Sequence, residues 1–300
     1  MSTFVITDKM QNKIDRLSEI ITNKLVEIKN NFSYKHNLND IVEAMWYSLM
    51  AGGKRIRPVL VLEFCHMCGE NAEKALSAAC AIEMIHTFSL IHDDLPCMDN
   101  DDMRRGKPSC HKAYGEAMAL LAGDALLNYA YEVIADDENI SYETRIKLIA
   151  DLSKAVGVSG MIGGQVIDTT YSGELDEETL LDMYSMKTGA LIKTACRMGC
   201  ITADADQHKI KNAEKYAEKL GLAFQIIDDI LDITGDEKLV GKPIGSDKEK
   251  SKVTYAALNG IEKSREYARK LTNEALEILD EFENNELLKE LTRCLLERDY

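Results

Sequence analysis

An acidic cluster follows directly on an apolar run in this sequence. Residues 82–91 are mainly apolar, and the residues that follow include Asp93, Asp94, Asp99, Asp101 and Asp102, then Arg104 and Arg105. Carboxylates at the end of a buried helix repel one another unless a hard cation lies between them. The cluster therefore predicts a magnesium site, and the two arginines beside it are placed to bind phosphate oxygens.

A second acidic cluster, within residues 224–232, consists of Asp228, Asp229 and Asp232. Asp228 and Asp232 are four residues apart and share one helix face. Their neighbours are apolar, which is not typical of a solvated face. We expect the two clusters to face each other across a cavity that holds Mg²⁺. Because Mg²⁺ usually binds one or two carboxylates together with substrate phosphates, the expected substrate is a diphosphate, and the apolar walls imply a hydrocarbon tail.

Pro96 lies inside the first cluster and is expected to break its helix. Proline lacks an N–H and disfavours a helical conformation in the residue before it, so the helix should loosen at Leu95. The break can fold Asp99 back beside Asp93, which an unbroken helix would not allow. His86 lies two helical turns before Asp93 and can face the same cavity, although a lone histidine on an apolar helix is more often a core residue.

A basic segment precedes both clusters and reads Gly-Gly-Lys54-Arg55-Ile-Arg57-Pro58. The glycines free the backbone, and proline suits the first turn of a new helix. Basic side chains at a helix start form a phosphate-binding arrangement, but a solvated basic turn is an alternative that these residues leave open. The spacing is not that of a P-loop.

Two further segments place glycine inside otherwise apolar helices. They are Gly163-Gly164-Gln165 and Lys187-Thr188-Gly189. Each is compatible with ordinary helix packing or with the close approach of a ligand, and the residues alone do not decide between the two. Lys187, together with Lys242 in a later loop, adds a cation to those expected around the cavity.

The composition favours long helices. Only 4 of the 300 residues are proline, and 45% are hydrophobic with a single tryptophan. No linker rich in proline, glycine or serine divides the chain. We therefore predict an all-α fold in which residues 1–300 form a single domain, a bundle of long helices around a central cavity.

The net charge of -15 argues against nucleic acid or an anionic membrane as a partner. No uninterrupted apolar stretch reaches membrane-spanning length, so we expect no stable membrane insertion. Eight cysteines scattered through helical segments suit a reducing, cytoplasmic location. Cys65-x-x-Cys68 has no second pair at zinc-like spacing, and we expect it to be part of the core.

Taken together, these motifs resemble the short-chain trans-polyprenyl diphosphate synthases, in the group of bacterial farnesyl and plant-type geranylgeranyl diphosphate synthases. The resemblance rests on Gly-Gly-Lys54-Arg55-Ile-Arg57-Pro58, Asp93-Asp94-x4-Asp99, Arg104-Arg105-Gly106, Gly163-Gly164-Gln165, Lys187-Thr188-Gly189 and Phe224-Gln225-x2-Asp228-Asp229-x2-Asp232. It runs over nearly the whole chain. It implies an isoprenoid-synthase-type helical bundle and a homodimer.

The resemblance also implies roles for individual residues. The diphosphate of isopentenyl diphosphate would be bound by Lys54, Arg57, His86 and Arg105. The allylic substrate or its cation would be contacted by the catalytic residues Arg104, Lys187, Thr188 and Gln225, and by Lys242. Three Mg²⁺ ions, replaceable by Mn²⁺, would be bound by Asp93, Asp99 and Asp228, with Asp94, Asp229 and Asp232 acting directly or through water.

In this family the residue five positions before the first aspartate limits product length. Here it is Phe88, followed by Ser89, which resembles the farnesyl-forming arrangement. The implied reaction ionises an allylic diphosphate (dimethylallyl or geranyl) and adds isopentenyl diphosphate head-to-tail, with the released diphosphate taking the proton. Farnesyl diphosphate is the expected main product, and geranylgeranyl or geranyl diphosphate is the alternative.

Three other classes fit the sequence less well. A terpene cyclase would carry an Asn/Asp-Ser/Thr-Glu metal motif in place of the Asp228 cluster. A non-catalytic regulatory subunit would have lost carboxylates from one cluster, and both clusters are complete. A calcium-binding EF-hand starting at Asp99 would have Met103 at a ligand position and Arg104 where glycine is needed.

Overall fold

A computed structural model describes residues 7–170, 175–234 and 253–296, and these residues form an almost entirely helical bundle. The α-helices are α1 (Asp8–Asn31), α2 (Asn39–Leu49), α3 (Ile56–Met67), α4 (Leu76–Asp93), α5 (Cys110–Tyr114), α6 (Glu116–Ala135), α7 (Tyr142–Val156), α8 (Met161–Thr170), α9 (Glu177–Tyr184), α10 (Ala190–Thr202), α11 (Gln207–Thr234), α12 (Tyr255–Asn259), α13 (Ile261–Leu279) and α14 (Glu286–Leu296). The all-α prediction is confirmed.

Short elements join these helices. Two 3₁₀ turns cover His36–Leu38 and Ala72–Ala75, and a π-helical turn, Ser185–Gly189, links α9 to α10. A two-stranded antiparallel hairpin pairs Met103–Arg104 with Lys107–Pro108. The hairpin turns through Arg105 and Gly106, both with positive φ (52° and 75°), and so returns the chain within two residues.

Helix α4 is the central helix of the core. Twelve of its eighteen residues are buried, and it packs against α3 and α6. The segment Ala72–Asp93 is long and apolar enough to cross a membrane, with a mean hydropathy of 1.3, but 72% of that window is buried inside the fold. A helix that is apolar on all sides is expected where protein covers every side. The apolar surface of α4 is thus covered by its neighbours.

Glycine sets the spacing of α10 against its neighbours. A β-carbon added to Gly199 would lie 2.4 Å from the Val61 carbonyl oxygen on α3, so the two helices are in backbone contact. On the other side, Gly221 of α11 lies against Gly189 of the π-helical turn. A β-carbon added to Gly221 would lie 3.2 Å from the Gly189 Cα. This close packing fixes the π-helical turn between α8 and α11.

Candidate active site

Helix α4 ends at Asp93, and the chain turns back on itself immediately afterwards. The Asp99 N–H donates to the Asp93 carbonyl oxygen at 2.9 Å, and the Asn100 N–H donates to the Leu95 carbonyl at 3.1 Å. The prediction that the break at Pro96 returns Asp99 to Asp93 is confirmed. The two carboxylates are therefore neighbours although they are six residues apart.

The Asp93 carboxylate lies in an environment that disfavours its charge. Burial, together with the negative charges of Asp99 and Asp94, raises the pKa of Asp93 to about 6, against the opposing positive charges of Lys187 and Arg104. Bound magnesium would relieve this repulsion, so the donor set fits a hard cation. Within residues 7–170, 175–234 and 253–296, no three acidic, histidine or cysteine side chains form a ready-made metal site. Substrate phosphates would have to complete the coordination.

Asp94 points to an arginine. It is 2% exposed, and Arg104 Nε donates to its two carboxylate oxygens at 2.9 and 3.2 Å. Arg104 also lies 3.2 Å from Asp101, and the hairpin that begins at Met103 holds it there. Asp94 and Arg104, expected to bind metal and substrate respectively, thus form an ion pair beside the site, in which Asp94 is buried and Arg104 half-buried.

The second cluster is tied to the π-helical turn by hydrogen bonds. Asp229 is 2% exposed and accepts from Tyr184 Oη (2.6 Å), the Tyr255 N–H (3.0 Å) and Gln225 Nε2 (3.3 Å). Gln225 in turn accepts from the Thr188 hydroxyl at 3.1 Å. The predicted residues Thr188, Gln225 and Asp229 therefore form one network. On the same helix, Asp228 is half-buried and Asp232 is buried.

Lys187 is held by α8. Its Nζ lies 2.6 Å from Asp168 Oδ2, and a β-carbon on Gly164 would lie 2.3 Å from the Lys187 backbone nitrogen. Gly164 thus serves close helix packing, and this packing positions a residue of the site. π-Helical turns are frequent at functional sites because they displace a side chain from the regular helical register. Here the turn places Lys187 near enough to Asp93 for the positive charge of the lysine to lower the pKa of Asp93.

Two cavities lie side by side in this region. The larger, of about 550 Å³, has a polar part formed by Arg57, His86, Asp93, Lys187 and Thr188, and an apolar part that includes Phe88, Leu95, Leu120, Met161, Ile162 and Leu191. The smaller, of about 230 Å³, is lined by Lys54, Arg55, Arg57, His86 and Arg105 together with Glu83 and Phe224. Arg57 and His86 line both cavities. Arg55 and Arg57 are therefore not part of a solvated turn, whereas Lys54 is exposed at the edge of the smaller cavity.

The shared wall is poised to bind an anion. Burial lowers the pKa of Arg57, and the pKa of His86 lies well below its usual value because of burial and the positive charges of Arg57 and Arg105. Arg57 Nη1 lies 3.4 Å from His86 Nε2, and since a guanidinium can only donate, Nε2 accepts. Arg57 Nε is buried without a hydrogen-bond partner in the described part of the chain. A phosphate oxygen is a suitable acceptor for it.

Glu83 was not singled out from the sequence, although a lone carboxylate in an apolar helix is a recognisable signal. It is 1% exposed and lies 2.5 Å from Arg55 Nη1 and 3.6 Å from Arg105 Nη2. Arg105 also donates to the Gly52 carbonyl. Arg55, whose backbone is left-handed (φ 49°), is thus buried inside the fold. Arg105 forms part of the wall of the smaller cavity.

The expected length-determining residues lie on the cavity wall. Phe88 is 5% exposed, and its ring packs edge-on against His92 at a centroid distance of 5.6 Å. The Ser89 hydroxyl donates to the His86 carbonyl at 2.9 Å. Both residues line the larger cavity. Lys242, the remaining predicted substrate contact, lies outside the described residues.

The bundle, the paired carboxylates and the two cavities define a protein of the all-α isoprenoid synthase fold. A solved FPP/GFPP synthase from Zymomonas mobilis superimposes with a TM-score of 0.85 at 34% identity, covering 96% of this chain and 99% of that one. A farnesyl diphosphate synthase from Geobacillus stearothermophilus is 50% identical over 75% of this chain and 76% of its own length. A chloroplastic geranylgeranyl pyrophosphate synthase from Catharanthus roseus is 48% identical over 81% and 69%.

The polyprenyl synthetase family matches residues 39–295, and the chain belongs to this family. It is a trans-prenyltransferase of isoprenoid biosynthesis, and the family implies prenyl diphosphate substrates and a general dependence on Mg²⁺.

The hydrogen bond from Tyr184 to Asp229 gives a test of the network. Because the hydroxyl orients a carboxylate of the second cluster, Tyr184→Phe should lower kcat, or the apparent affinity for Mg²⁺, by about tenfold. Steady-state kinetics over a range of Mg²⁺ concentrations measures both. The matched control is Tyr216→Phe, which removes a buried hydroxyl on α11 that is hydrogen-bonded to Thr292 at 2.8 Å. Equal kinetic effects of the two substitutions would contradict a specific role for Tyr184.

Proposed function

We propose that this enzyme condenses isopentenyl diphosphate with dimethylallyl and geranyl diphosphate, and that its main product is farnesyl diphosphate. The observation that carries the proposal is the position of Phe88, which lies in the wall of the larger cavity one and a half turns before Asp93 on the same helix. An aromatic ring at this depth limits the length of the chain that the cavity accepts. The farnesyl diphosphate synthase from G. stearothermophilus is 50% identical to this chain.

The two cavities suit the two substrates. The smaller, basic cavity would bind isopentenyl diphosphate through Lys54, Arg57, His86 and Arg105. The larger cavity would hold the allylic tail on its apolar part, with the diphosphate near Asp93, Arg104 and Lys187. Because Arg57 and His86 line both, the two substrates would lie next to each other, as head-to-tail condensation requires.

Magnesium, when bound, neutralises the allylic diphosphate and so favours its departure. We propose Asp93, Asp99 and Asp228 as direct ligands of three ions, with Asp94, Asp229 and Asp232 acting directly or through water. Lys187 would hold the departing diphosphate, and the oxygen dipoles of Thr188 and Gln225 would stabilise the allylic cation. Arg57 and His86 would orient the isopentenyl double bond for attack. The apolar walls would exclude water until the released diphosphate takes the proton.

Geranylgeranyl diphosphate is the second candidate product, since the chain is also 48% identical to the geranylgeranyl pyrophosphate synthase from C. roseus. The two candidate products are distinguished by chromatography of the products formed from isopentenyl diphosphate with each of the C5, C10 and C15 allylic diphosphates. A C15 main product from the C5 and C10 substrates supports the proposal. A dominant C20 product would overturn it.

Phe88→Ala should lengthen the products by at least one C5 unit, because it removes the ring that limits the cavity. Phe224→Ala is the matched control, since Phe224 lines the smaller cavity and its loss should leave chain length unchanged. Product chromatography of both variants is the measurement. An unchanged distribution in Phe88→Ala would show that another residue limits the chain.

We also propose that the protein is a homodimer in the cytoplasm. Large apolar side chains are exposed on the consecutive helices α6 and α7, among them Leu121 (50%), Tyr142 (79%) and Ile146 (67%). Exposed apolar side chains concentrated on neighbouring helices are typical of an interface. All eight cysteines are free thiols, which supports a reducing compartment.

Leu121→Glu tests the dimer, because a charge in an apolar interface should shift the protein to monomer. Sedimentation velocity at micromolar concentration measures the change. Leu38→Glu, at a similarly exposed leucine of the His36–Leu38 turn, is the control and should leave the dimer intact. A wild-type monomer would contradict this proposal and leave the proposed reaction untouched.

A further inference from the structure

Four cysteines lie where α3 and α10 pack together. Cys65 and Cys68 are at the end of α3, and Cys196 and Cys200 are on α10. The Cys68 and Cys200 sulfurs are 3.7 Å apart although the two residues are 132 positions apart in the chain. The contact is possible because Gly199, the neighbour of Cys200, lets α10 approach the backbone of α3. Two thiols at van der Waals distance on different helices can be joined with a small movement.

The other two cysteines do not form such a pair. Cys65 Sγ lies 3.6 Å from the Asn71 carbonyl oxygen, and burial raises the pKa of Cys65 to about 12. Cys196 is fully buried. In the described ranges no three of the cysteine, histidine and acidic side chains could together hold a metal ion. The contact is thus a thiol pair.

The two members of the pair differ in a way that suits stepwise oxidation. Cys68 is partly exposed at the end of α3, whereas Cys200 is fully buried behind it. The contact with Cys200 and then the charge of Lys209 lower the pKa of Cys68, against the effect of burial. Gly69 follows with φ of 95° and no atom within 4 Å of an added β-carbon, so the chain beyond Cys68 is not crowded on that side. An oxidant would reach Cys68 first, and Cys200 would be the resolving thiol.

We propose that Cys68 and Cys200 form an oxidation site that peroxides convert to a disulfide between α3 and α10. The Cys68 thiolate attacks a peroxide oxygen, the O–O bond breaks, and sulfenic acid and hydroxide form. The Cys200 thiol then attacks the Cys68 sulfur, forming the S–S bond and releasing water. Two thiols lose two electrons and two protons, and hydrogen peroxide is reduced to two waters. A dithiol reductant reverses the reaction.

The disulfide would stabilise the fold and leave the active site unchanged. It closes a chain segment of 132 residues, which restricts the unfolded state. Cys68 lies eleven residues beyond Arg57, so about 16 Å of α3 separates the pair from the shared wall of the cavities. Oxidation should therefore protect the enzyme against unfolding at unchanged turnover.

Treatment of the full chain with hydrogen peroxide, followed by alkylation, trypsin and mass spectrometry, tests the site. The expected product joins peptide 56–74, which contains Cys65 and Cys68, to peptide 198–209, which contains Cys200. Cys196 falls in a separate peptide because Arg197 is a cleavage site. The midpoint of thermal unfolding should rise by about 5 °C or more, reversibly with dithiothreitol, with activity within about twofold.

Four variants make the test specific. Cys68→Ser and Cys200→Ser should each abolish the joined peptides and the thermal shift. Cys65→Ser should retain both, as should Cys97→Ser, which removes an exposed thiol elsewhere. A disulfide within peptide 56–74, or oxidation of Cys97 without joined peptides, would overturn the proposal. Joined peptides without a thermal shift would overturn its stabilising role.

Discussion

The site depends on the ion pairs that the buried Glu83 carboxylate forms with two arginines. This carboxylate on the central helix pairs with Arg55 of the basic segment and Arg105 of the hairpin, residues about 28 and 22 positions away along the chain. A buried carboxylate must be paired, because leaving one uncompensated costs about 3–5 kcal/mol. The pairing therefore holds two otherwise irregular segments against α4. It places Arg57 and Arg105 beside the carboxylates at the end of the same helix.

The arrangement separates two kinds of anion binding. Around Asp93 and Asp99 several carboxylates lie close together, and their repulsion favours binding of a phosphate together with a metal cation. Around Arg57 and Arg105, burial and the neighbouring positive charges lower the pKa of both guanidinium groups, although the Glu83 carboxylate opposes the shift in each. A diphosphate can bind there without metal. His86 and Arg57 form the boundary between the two.

Local chemistry in the sequence predicted much of this site. Pro96 predicted the return of Asp99 to Asp93, and the spacing of Asp228 and Asp232 predicted a shared helix face. The partners that hold the site could not be predicted, because they come from distant parts of the chain. Tyr184 and Tyr255 reach Asp229 across 45 and 26 positions, and Gly164 meets the Lys187 backbone across a helix contact. The hydrophobic periodicity of one segment carries no information about a contact with a distant segment.

We propose that the two neighbouring cavities bind one diphosphate each and that only the allylic diphosphate needs metal. Isothermal titration of an unreactive allylic thiolodiphosphate and of isopentenyl diphosphate, each with and without Mg²⁺, tests it directly. Mg²⁺ should tighten binding of the allylic analogue by about 100-fold and change isopentenyl diphosphate binding little, and the two ligands should bind together. Competition between them, or equal binding of the allylic analogue without Mg²⁺, would overturn this assignment of the two cavities.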